Sequence, residues 1–224
     1  MIENVLDFAR IEQGRKRYEF EPANVAALVE QTVKLMEPYA AERGVRLVSK
    51  IERAEAEASQ ILLTSEAAKD EEFTANLDGQ AIQQALVNLI DNALKHSPSG
   101  SEVLVTLAAE ERSLPPHPDS LPQGREEKER ARCYLRLSVE DHGPGIPTSE
   151  HEKIFERFYR LGSELRRETQ GVGIGLTIVK HIAEAHGGRV LVESEVGKGS
   201  RFTIDLPVEE EVHRKGAENG KPKE

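Results

Sequence analysis

Residues 84–98 read QALVNLIDNALKHSP and combine an apolar helix face with an unusual polar one. Each residue of a helix advances about 100°, which places Asn92 about 40° and Lys95 about −20° from Asn88 around the axis. The apolar side chains lie toward the opposite side: Leu86, Leu89, Ile90 and Ala93. The segment therefore predicts a helix with its back in a core and with two amides and an ammonium group on its front.

This polar front has two interpretations. Asparagine is a mediocre helix former, because its side chain competes for backbone hydrogen bonds, and a solvated polar surface is the simpler explanation. Alternatively, amide oxygens are hard ligands suited to Mg²⁺, and a lysine one turn further on can bind phosphate as a point charge. The helix alone does not decide between a solvated surface and a metal and phosphate site.

The bulk composition excludes several classes of protein. The 224 residues carry a formal net charge of −10, which argues against a general nucleic-acid binder with a basic surface. The single cysteine, Cys133, excludes an internal disulfide framework and a cysteine-rich zinc site and indicates a reducing compartment. No apolar run approaches the ~18 residues of a membrane span, and the N-terminal residues lack the layout of a signal peptide. We expect a cytoplasmic chain, whose parent protein could still be membrane-anchored.

Helical and strand patterns are interspersed along the chain and predict an α/β sandwich with a mixed sheet covered on one face. The predicted helices are 1–17, 24–43, a helix capped by Asp78, 149–158 and 176–186. The predicted strands are 18–23, 45–51, 73–77, 103–107, 134–140, 189–195 and 200–207. Residues 52–72 have no clear pattern, 108–132 predict a mobile loop insertion, and 208–224 predict a disordered tail.

Two glycine-rich segments are candidate ligand-binding turns. Asp141 ends a predicted strand and is followed by Gly143 and Gly145, a pattern that indicates either a tight turn or a base pocket. In a base pocket the carboxylate would accept a hydrogen bond from an exocyclic amine such as that of adenine, and the glycines would let the backbone approach a flat base. The segment GVGIG at 171–175 precedes a helix whose N-terminus could bind polyphosphate. It matches neither GxGxxG nor the P-loop and is a weak signal alone.

Between these turns lies IFERFYRLGSELRRETQ, residues 154–170. Phe155 and Phe158 are three residues apart and are predicted to anchor one end of a mobile flap on the core. Several polar side chains of that flap could either reach phosphates or form ordinary surface charge: Arg160, Arg166, Arg167 and Gln170.

In their order, these segments resemble the ATP-binding catalytic domain of bacterial sensor histidine kinases, in the ATPase superfamily shared with gyrase and the MutL proteins. The motifs that carry the resemblance are NLIDNALKHS, DHGPGIP, IFERFYR, GVGIGLTIVKHIAEAHGG and GKGSRFTIDLP. The resemblance implies a Bergerat-type two-layer α/β sandwich with a mixed, mostly antiparallel sheet. It divides the chain into the end of a dimerisation hairpin at 1–17, the catalytic domain at 18–207 and a tail at 208–224.

On the phosphate side, the resemblance implies that Asn92 is the main Mg²⁺ ligand, that Asn88 supports the metal or a phosphate-bound water and that Lys95 contacts phosphate. The lid residues that would approach the γ-phosphate are Arg160, Arg167 and Gln170. The implied reaction transfers the γ-phosphoryl group of ATP to a histidine of the dimerisation hairpin, and from there to an aspartate of a response regulator receiver domain.

On the base side, the resemblance implies that Asp141 accepts from the adenine amine, while Phe155 and Phe158 hold a lid over the ATP. The lid, at about 159–171, is expected to be disordered without nucleotide. The rest of the implied nucleotide-binding set is His96, Gly143, Gly145, Ile146, Gly171, Val172, Gly173, Gly175, Leu176 and Thr203.

None of the seven histidines carries the acceptor motif of the family, H-E-[hydrophobic]-[RK]-[TN]-P. We therefore expect a fragment that binds ATP but does not phosphorylate itself. Two alternatives stay open: a stand-alone serine kinase of the same superfamily, and a non-catalytic nucleotide-binding module. The hairpin-like segment LDFARIEQGRKRYEFEP and the complete phenylalanine motif favour the histidine kinase.

Overall fold

The computed structural model describes residues 2–52, 73–113, 131–161 and 173–208, which form a two-layer α/β sandwich, as predicted. The helices are α1 (Ile2–Glu12), α2 (Val25–Glu42), α3 (Gly79–His96) and α4 (Gly175–Ala185). The strands are β1 (Glu21–Asn24), β2 (Arg46–Glu52), β3 (Thr74–Leu77), β4 (Glu102–Ser113), β5 (Ala131–Asp141), β6 (Arg189–Glu195) and β7 (Gly199–Val208).

The main sheet has its strands in the order β2-β4-β5-β7-β6. Strand β2 runs parallel to β4, and the other neighbouring pairs of this sheet are antiparallel. The register places Leu137 of β5 between Leu107 of β4 and Ile204 of β7, and because alternate residues share a face, these strands present one apolar surface. Strands β1 and β3 form a separate antiparallel ribbon.

Helices α2, α3 and α4 pack on the apolar face of the main sheet. The strands contribute buried side chains to this core: Val103, Val105, Leu107, Leu135, Leu137, Val139 and Ile204. The helices contribute Val29, Ile82, Leu86, Leu89, Ile90, Ile178 and Ile182. The opposite face of the sheet carries polar side chains such as Ser138 and Thr203, whose hydroxyl groups hydrogen-bond at 2.9 Å. None of the described helices combines the length and apolarity that crossing a bilayer requires.

Helix α3 is held in place by contacts at its N-terminus and by its buried apolar face. Asp78 caps the N-terminus by accepting a hydrogen bond from Ala81 N at 2.9 Å, an arrangement that satisfies one of the free N–H groups of the first turn. The backbone N–H of Asp78 donates to His186 Nε2 at 3.0 Å, which ties this end to the end of α4. Leu86 and Ile90 are fully buried, so the apolar back of α3 lies in the core as predicted.

The predicted loop at 108–132 is partly wrong. Strand β4 continues to Ser113 and β5 begins at Ala131, so the two strands pair over residues whose composition predicted a loop. Backbone hydrogen bonds and polar cross-strand contacts carry this extension, and Arg136 Nη1 donates to Glu110 Oε1 at 3.0 Å. The stretches that lie outside the described residues are 53–72, 114–130, 162–172 and 209–224.

The predicted helix at 149–158 is wrong. The structure has two short 3₁₀ turns instead, Thr148–Glu150 and Lys153–Phe155. Phe158 then takes a left-handed backbone conformation with φ of 59°, and its N–H donates to Gly173 O at 2.9 Å. The chain turns back toward the start of α4 at this point, which prevents a continuous helix.

Helix α1 packs against α4, with Phe8 and Ile11 partly buried against the core. The helix ends at Glu12 rather than at the predicted residue 17, and Gly14 follows it with φ of 61°. On the outer face Val5 and Leu6 are 44% and 55% exposed. The inner face of this helix is thus covered by the rest of the described chain.

Asp7 makes polar contacts between α1 and the rest of the domain. It is buried and accepts hydrogen bonds from Gln84 Nε2 at 2.8 Å and from Lys16 Nζ at 3.0 Å. Burial by itself would raise the pKa of the Asp7 carboxyl, but the hydrogen bonds from Lys16 and Gln84 outweigh it, and the pKa lies below its ordinary value.

Replacing Leu86 with alanine tests the packing of α3. Leu86 has no exposed surface, so its truncation leaves a cavity and should lower the free energy of unfolding by about 2–5 kcal/mol. Urea denaturation followed by circular dichroism measures the loss. The control Leu35→Ala, at an α2 position that is 64% exposed, should change the same free energy by less than about 0.5 kcal/mol. Equal losses in the two variants would contradict the core placement.

The Lys16→Met substitution should raise the pKa of Asp7, because it removes both a hydrogen bond and a positive charge. An NMR titration of the Asp7 carboxyl measures this shift, with Lys50→Met on β2 as a control that leaves it unchanged. Because the folded pKa is depressed, ionised Asp7 stabilises the fold above the ordinary value of 3.8, and this contribution is lost as the pH falls through the lower folded pKa. An unchanged Asp7 pKa in Lys16→Met would rule out the ion pair.

Candidate nucleotide-binding site

An open cavity of about 2090 Å³ lies between α3, α4 and the turn after β5, which is ample for a nucleotide because small-molecule pockets usually measure about 300–1,000 Å³. Of the residues predicted from the sequence, the following line it: Asn88, Asn92, Lys95, His96, Asp141, Gly145, Ile146, Phe158, Arg160, Gly173, Gly175 and Leu176. Three predicted residues do not line it: Gly143, Phe155 and Thr203. Five predicted residues lie outside the described part of the chain: Arg166, Arg167, Gln170, Gly171 and Val172.

The front of α3 forms the polar wall of this cavity. Asn88 is only 5% exposed, and its Oδ1 accepts a hydrogen bond from Asn4 Nδ2 of α1 at 2.8 Å. Its own Nδ2 is buried and has no hydrogen-bond partner among the residues that the structure describes. A buried amide group with an unpaired donor is costly, so Asn88 fits a binding site better than the solvated surface that was the alternative.

Lys95 forms an ion pair on the same wall. Its Nζ donates to Asp91 Oδ2 at 2.5 Å, and Asp91 Oδ1 accepts from the Tyr39 hydroxyl at 3.0 Å. Neither Asp91 nor Tyr39 was predicted from the sequence. The helical geometry that selected Asn88 also places Asp91 on the front, about −60° away, so a signal for Asp91 was present. Tyr39 comes from α2, and no local pattern links it to α3.

Asp141, the last residue of β5, lines the cavity opposite the polar front of α3. It is 6% exposed, and its Oδ1 accepts from Gly143 N at 2.7 Å. Burial raises the pKa of the Asp141 carboxyl, and hydrogen bonds from the backbone of Gly143 and Ser200 reduce that shift. Burial lowers the pKa of His96, although the charge of Asp141 opposes it. A carboxylate on a cavity wall can accept a further hydrogen bond from a ligand amine.

The glycines after Asp141 are required by the packing of the chain itself. A Cβ on Gly143 would lie 2.8 Å from the His96 carbonyl oxygen, and one on Gly145 would lie 2.0 Å from the Glu195 carbonyl oxygen. Gly145 also has φ of 71°, which L side chains rarely adopt. The structure thus gives these glycines a reason that the sequence did not suggest, namely that they let the turn approach α3 and β6.

The N-terminus of α4 opens on the cavity. Gly175 and Leu176, its first residues, line the cavity, and Ile174 at the N-cap position makes no side-chain capping bond within the described chain. Free N–H groups in the first turn of a helix are available to an anion. A Cβ on Gly173, which has φ of 74°, would lie 3.0 Å from the Tyr159 carbonyl oxygen, so only glycine fits where these two segments meet.

The two phenylalanines of the flap lie in different surroundings. Phe155 packs against the core, and its ring centroid lies 6.4 Å from that of Phe202. Phe158 is 62% exposed, and its ring packs edge-on against Phe8 of α1 at 5.7 Å. The predicted anchoring of Phe158 on the core is therefore wrong, because its left-handed backbone turns the side chain outward.

Thr203 lies away from the cavity, which corrects its predicted place in the nucleotide-binding set. Successive residues of a strand point to opposite faces, so Phe202 lines the cavity whereas the Thr203 hydroxyl contacts Ser138 on the far face. Two residues of β7 that were not predicted from the sequence line the cavity, Phe202 and Ser200, and Ser200 pairs with Asp141 of β5.

The family model described as Histidine kinase-, DNA gyrase B-, and HSP90-like ATPase matches residues 77–210. The sensor histidine kinase WalK of Bacillus subtilis is 37% identical over 142 residues, which cover 63% of this chain and 20% of WalK. The chain thus spans about a fifth of the length of this curated relative.

Solved structures of histidine kinases share the fold. Full-length ShkA, crystallised in complex with AMPPNP, superposes with a TM-score of 0.63 and 26% identity over 92% of this chain and 35% of the ShkA chain. The catalytic domain of the histidine kinase ThkA superposes with a TM-score of 0.59 at 23% identity, over 85% of this chain and 96% of that domain. The chain belongs to the histidine kinase-, DNA gyrase B- and HSP90-like ATPase family and corresponds to the ATP-binding catalytic domain of a sensor histidine kinase.

Proposed function

We propose that this domain binds Mg·ATP and transfers the γ-phosphoryl group to a histidine that is not in this sequence, on the dimerisation hairpin of the parent sensor kinase. The phosphoryl group would then pass to an aspartate of a response regulator receiver domain. The observation that carries the proposal is one cavity lined by the buried carboxylate of Asp141, by Asn88 and Asn92, and by the uncapped N-terminus of α4. ShkA, which shares the fold, was crystallised with an ATP analogue.

On the base side, Asp141 would accept a hydrogen bond from the exocyclic amine of adenine. Hydrogen bonds to charged groups contribute about 1.5–3 kcal/mol, which is enough to select adenine over a base that presents a carbonyl oxygen at that position. His96 and Ile146 line the same cavity and would contact the nucleoside. These contacts would fix the nucleotide so that its phosphates extend toward α3 and α4.

On the phosphate side, the residues present fit a magnesium ion. Asn92 offers an amide oxygen, and Asn88 Oδ1, which accepts from Asn4 Nδ2, keeps a second lone pair. Mg²⁺ prefers oxygen ligands and few protein groups. Bound Mg²⁺ would neutralise part of the phosphate charge. The first-turn N–H groups of α4 would donate to phosphate oxygens, and the flanking cations Lys95 and Arg160 would add positive charge.

The transfer step needs positioning more than covalent chemistry from this domain. The lone pair of an imidazole nitrogen forms the N–P bond while the bond between the γ-phosphorus and its bridging oxygen breaks, and that electron pair leaves with ADP. Negative charge then grows on the bridging oxygen and the β-phosphate. Lys95 and the start of α4 would stabilise that charge, because fixed donors need no reorganisation during the reaction.

The substitutions Asp141→Asn and Asn92→Ala should each weaken Mg·ATP binding about tenfold or more, because each removes a charge-assisted hydrogen bond or a metal ligand. Isothermal titration calorimetry measures both affinities. The matched control is Asn76→Ala on the exposed side of β3, which should bind like the unmodified chain. Native affinity in both site variants would remove the assignment of the cavity.

Transfer to histidine can be tested with labelled ATP and the hairpin of the parent kinase. We expect acid-labile label on the hairpin histidine, and no label when the domain carries Asn92→Ala. Acid-stable label on serine would support the stand-alone serine kinase instead. Binding of Mg·ATP without transfer to the hairpin would support the non-catalytic module.

A further inference from the structure

Polar contacts link helix α2 to the phosphate side of the cavity. Arg43 Nη2 donates to the Tyr39 hydroxyl at 2.6 Å, and that hydroxyl donates to Asp91 Oδ1 at 3.0 Å. The other carboxylate oxygen, Oδ2, accepts from Lys95 Nζ at 2.5 Å. Tyr39, Asp91 and Lys95 all line the cavity. Helix α2 thus fixes the Asp91 carboxylate through the Tyr39 hydroxyl. Asp91 in turn contacts the ammonium group of Lys95 on the same helix, α3.

This ion pair differs from an ordinary surface pair. The side chains of Lys95 and Asp91 are 17% and 31% exposed, and the hydroxyl from α2 fixes the carboxylate. The pair Lys180 and Glu184 on α4 has the same i,i+4 spacing, but its charged atoms are 4.0 Å apart and its side chains are 51% and 56% exposed. Exposed pairs contribute little because water and side-chain entropy oppose them, whereas the packing of α2 on α3 fixes the geometry of the first pair.

The hydroxyl of Tyr39 is suited to hold a carboxylate. Burial and the negative charge of Asp91 raise the pKa of Tyr39, so the hydroxyl keeps its proton and remains a donor. The guanidinium group of Arg43 lies 4.6 Å from the centroid of the Tyr39 ring, which holds the ring in place from the other side. The orientation of Asp91 is thus set from outside its own helix.

We propose that Asp91 and Tyr39 are positioning residues that hold the ammonium group of Lys95 ready for the phosphates of the nucleotide. An ammonium group has three N–H donors, so the bond to Asp91 leaves two for phosphate oxygens. Ordering a lysine side chain costs rotamer entropy, and here the side chain is ordered before the ligand arrives, which favours binding. The inference rests on the proposed function, because it assumes that the cavity binds a nucleoside polyphosphate.

Simple electrostatics predicts the opposite effect of Asp91. A carboxylate beside a phosphate site repels the ligand, so its removal by Asp91→Asn would strengthen polyphosphate binding if charge alone mattered. If positioning of Lys95 dominates, the same substitution weakens binding. The sign of the change in affinity therefore separates the two effects.

The test uses the full 224-residue chain and two ligands, Mg·ATP by calorimetry and adenosine by NMR titration. Asp91→Asn should weaken Mg·ATP binding about tenfold and Tyr39→Phe about threefold. Both should leave adenosine affinity within about twofold of the unmodified chain, because adenosine carries no phosphate. In a Lys95→Met background, Asp91→Asn should cause no further loss, since the residue that it positions is gone. Glu184→Gln, which breaks the surface pair of α4, is the matched control and should change neither affinity.

Three results would overturn the positioning role. They are Mg·ATP affinity that is unchanged or higher in Asp91→Asn, equal losses for ATP and adenosine, and an equal effect of Asp91→Asn with and without Lys95. If Asp91→Asn fails to fold by circular dichroism, Tyr39→Phe keeps the ring, removes one hydroxyl and is judged by the same criteria. Failure of the unmodified chain to bind Mg·ATP would overturn the proposed function as well, whereas native binding with unaffected variants would overturn the positioning role alone.

Discussion

The site depends on the burial of one side of helix α3. Leu86 and Ile90 have no exposed surface, and burying a side chain of this size contributes about 1.5–3 kcal/mol. Rotation of the helix about its axis would expose these groups, so the core fixes the rotation. Because each residue advances about 100°, that rotation also fixes where Asn88, Asn92 and Lys95 point. The polar wall of the cavity is therefore a consequence of apolar packing on the other side of the same helix.

Other elements then complete the two ends of the cavity. Helix α1 contributes Asn4 and helix α2 contributes Tyr39. The N-terminus of α4, which has no side-chain cap among the described residues, opens on the same cavity. At the other end of the cavity β5 ends and β7 begins, and Asp141 and Ser200 are neighbours across the two strands. The helical layer thus provides groups suited to metal and phosphate, and the strand ends provide the groups suited to a base.

Features set by local periodicity could be predicted from the sequence, and features set by long-range or backbone geometry could not. The apolar stripe of α3 and the strand before Asp141 follow patterns of a few residues. The side of α3 that faces the core and the position of Asp141 at the cavity were therefore predicted correctly. The contact of Tyr39 with Asp91 joins residues 52 positions apart, and no local pattern reveals it. Thr203 was wrongly assigned to the cavity because a sequence motif does not show which face of a strand the helices cover. Phe158 was wrongly assigned to the core because the sequence does not reveal the left-handed backbone conformation at that residue.

Replacing Mg²⁺ with Mn²⁺ in an NMR titration of the chain with ATP tests most directly whether the front of α3 holds the metal and the phosphates. Paramagnetic Mn²⁺ broadens the signals of nearby groups. Our account predicts that Mn·ATP broadens the side-chain amide signals of Asn88 and Asn92, spares that of Asn76 on β3, and that excess Mg·ATP restores the lost signals. Equal broadening of all three amides, or sharp signals from Asn88 and Asn92 at saturating Mn·ATP, would contradict it.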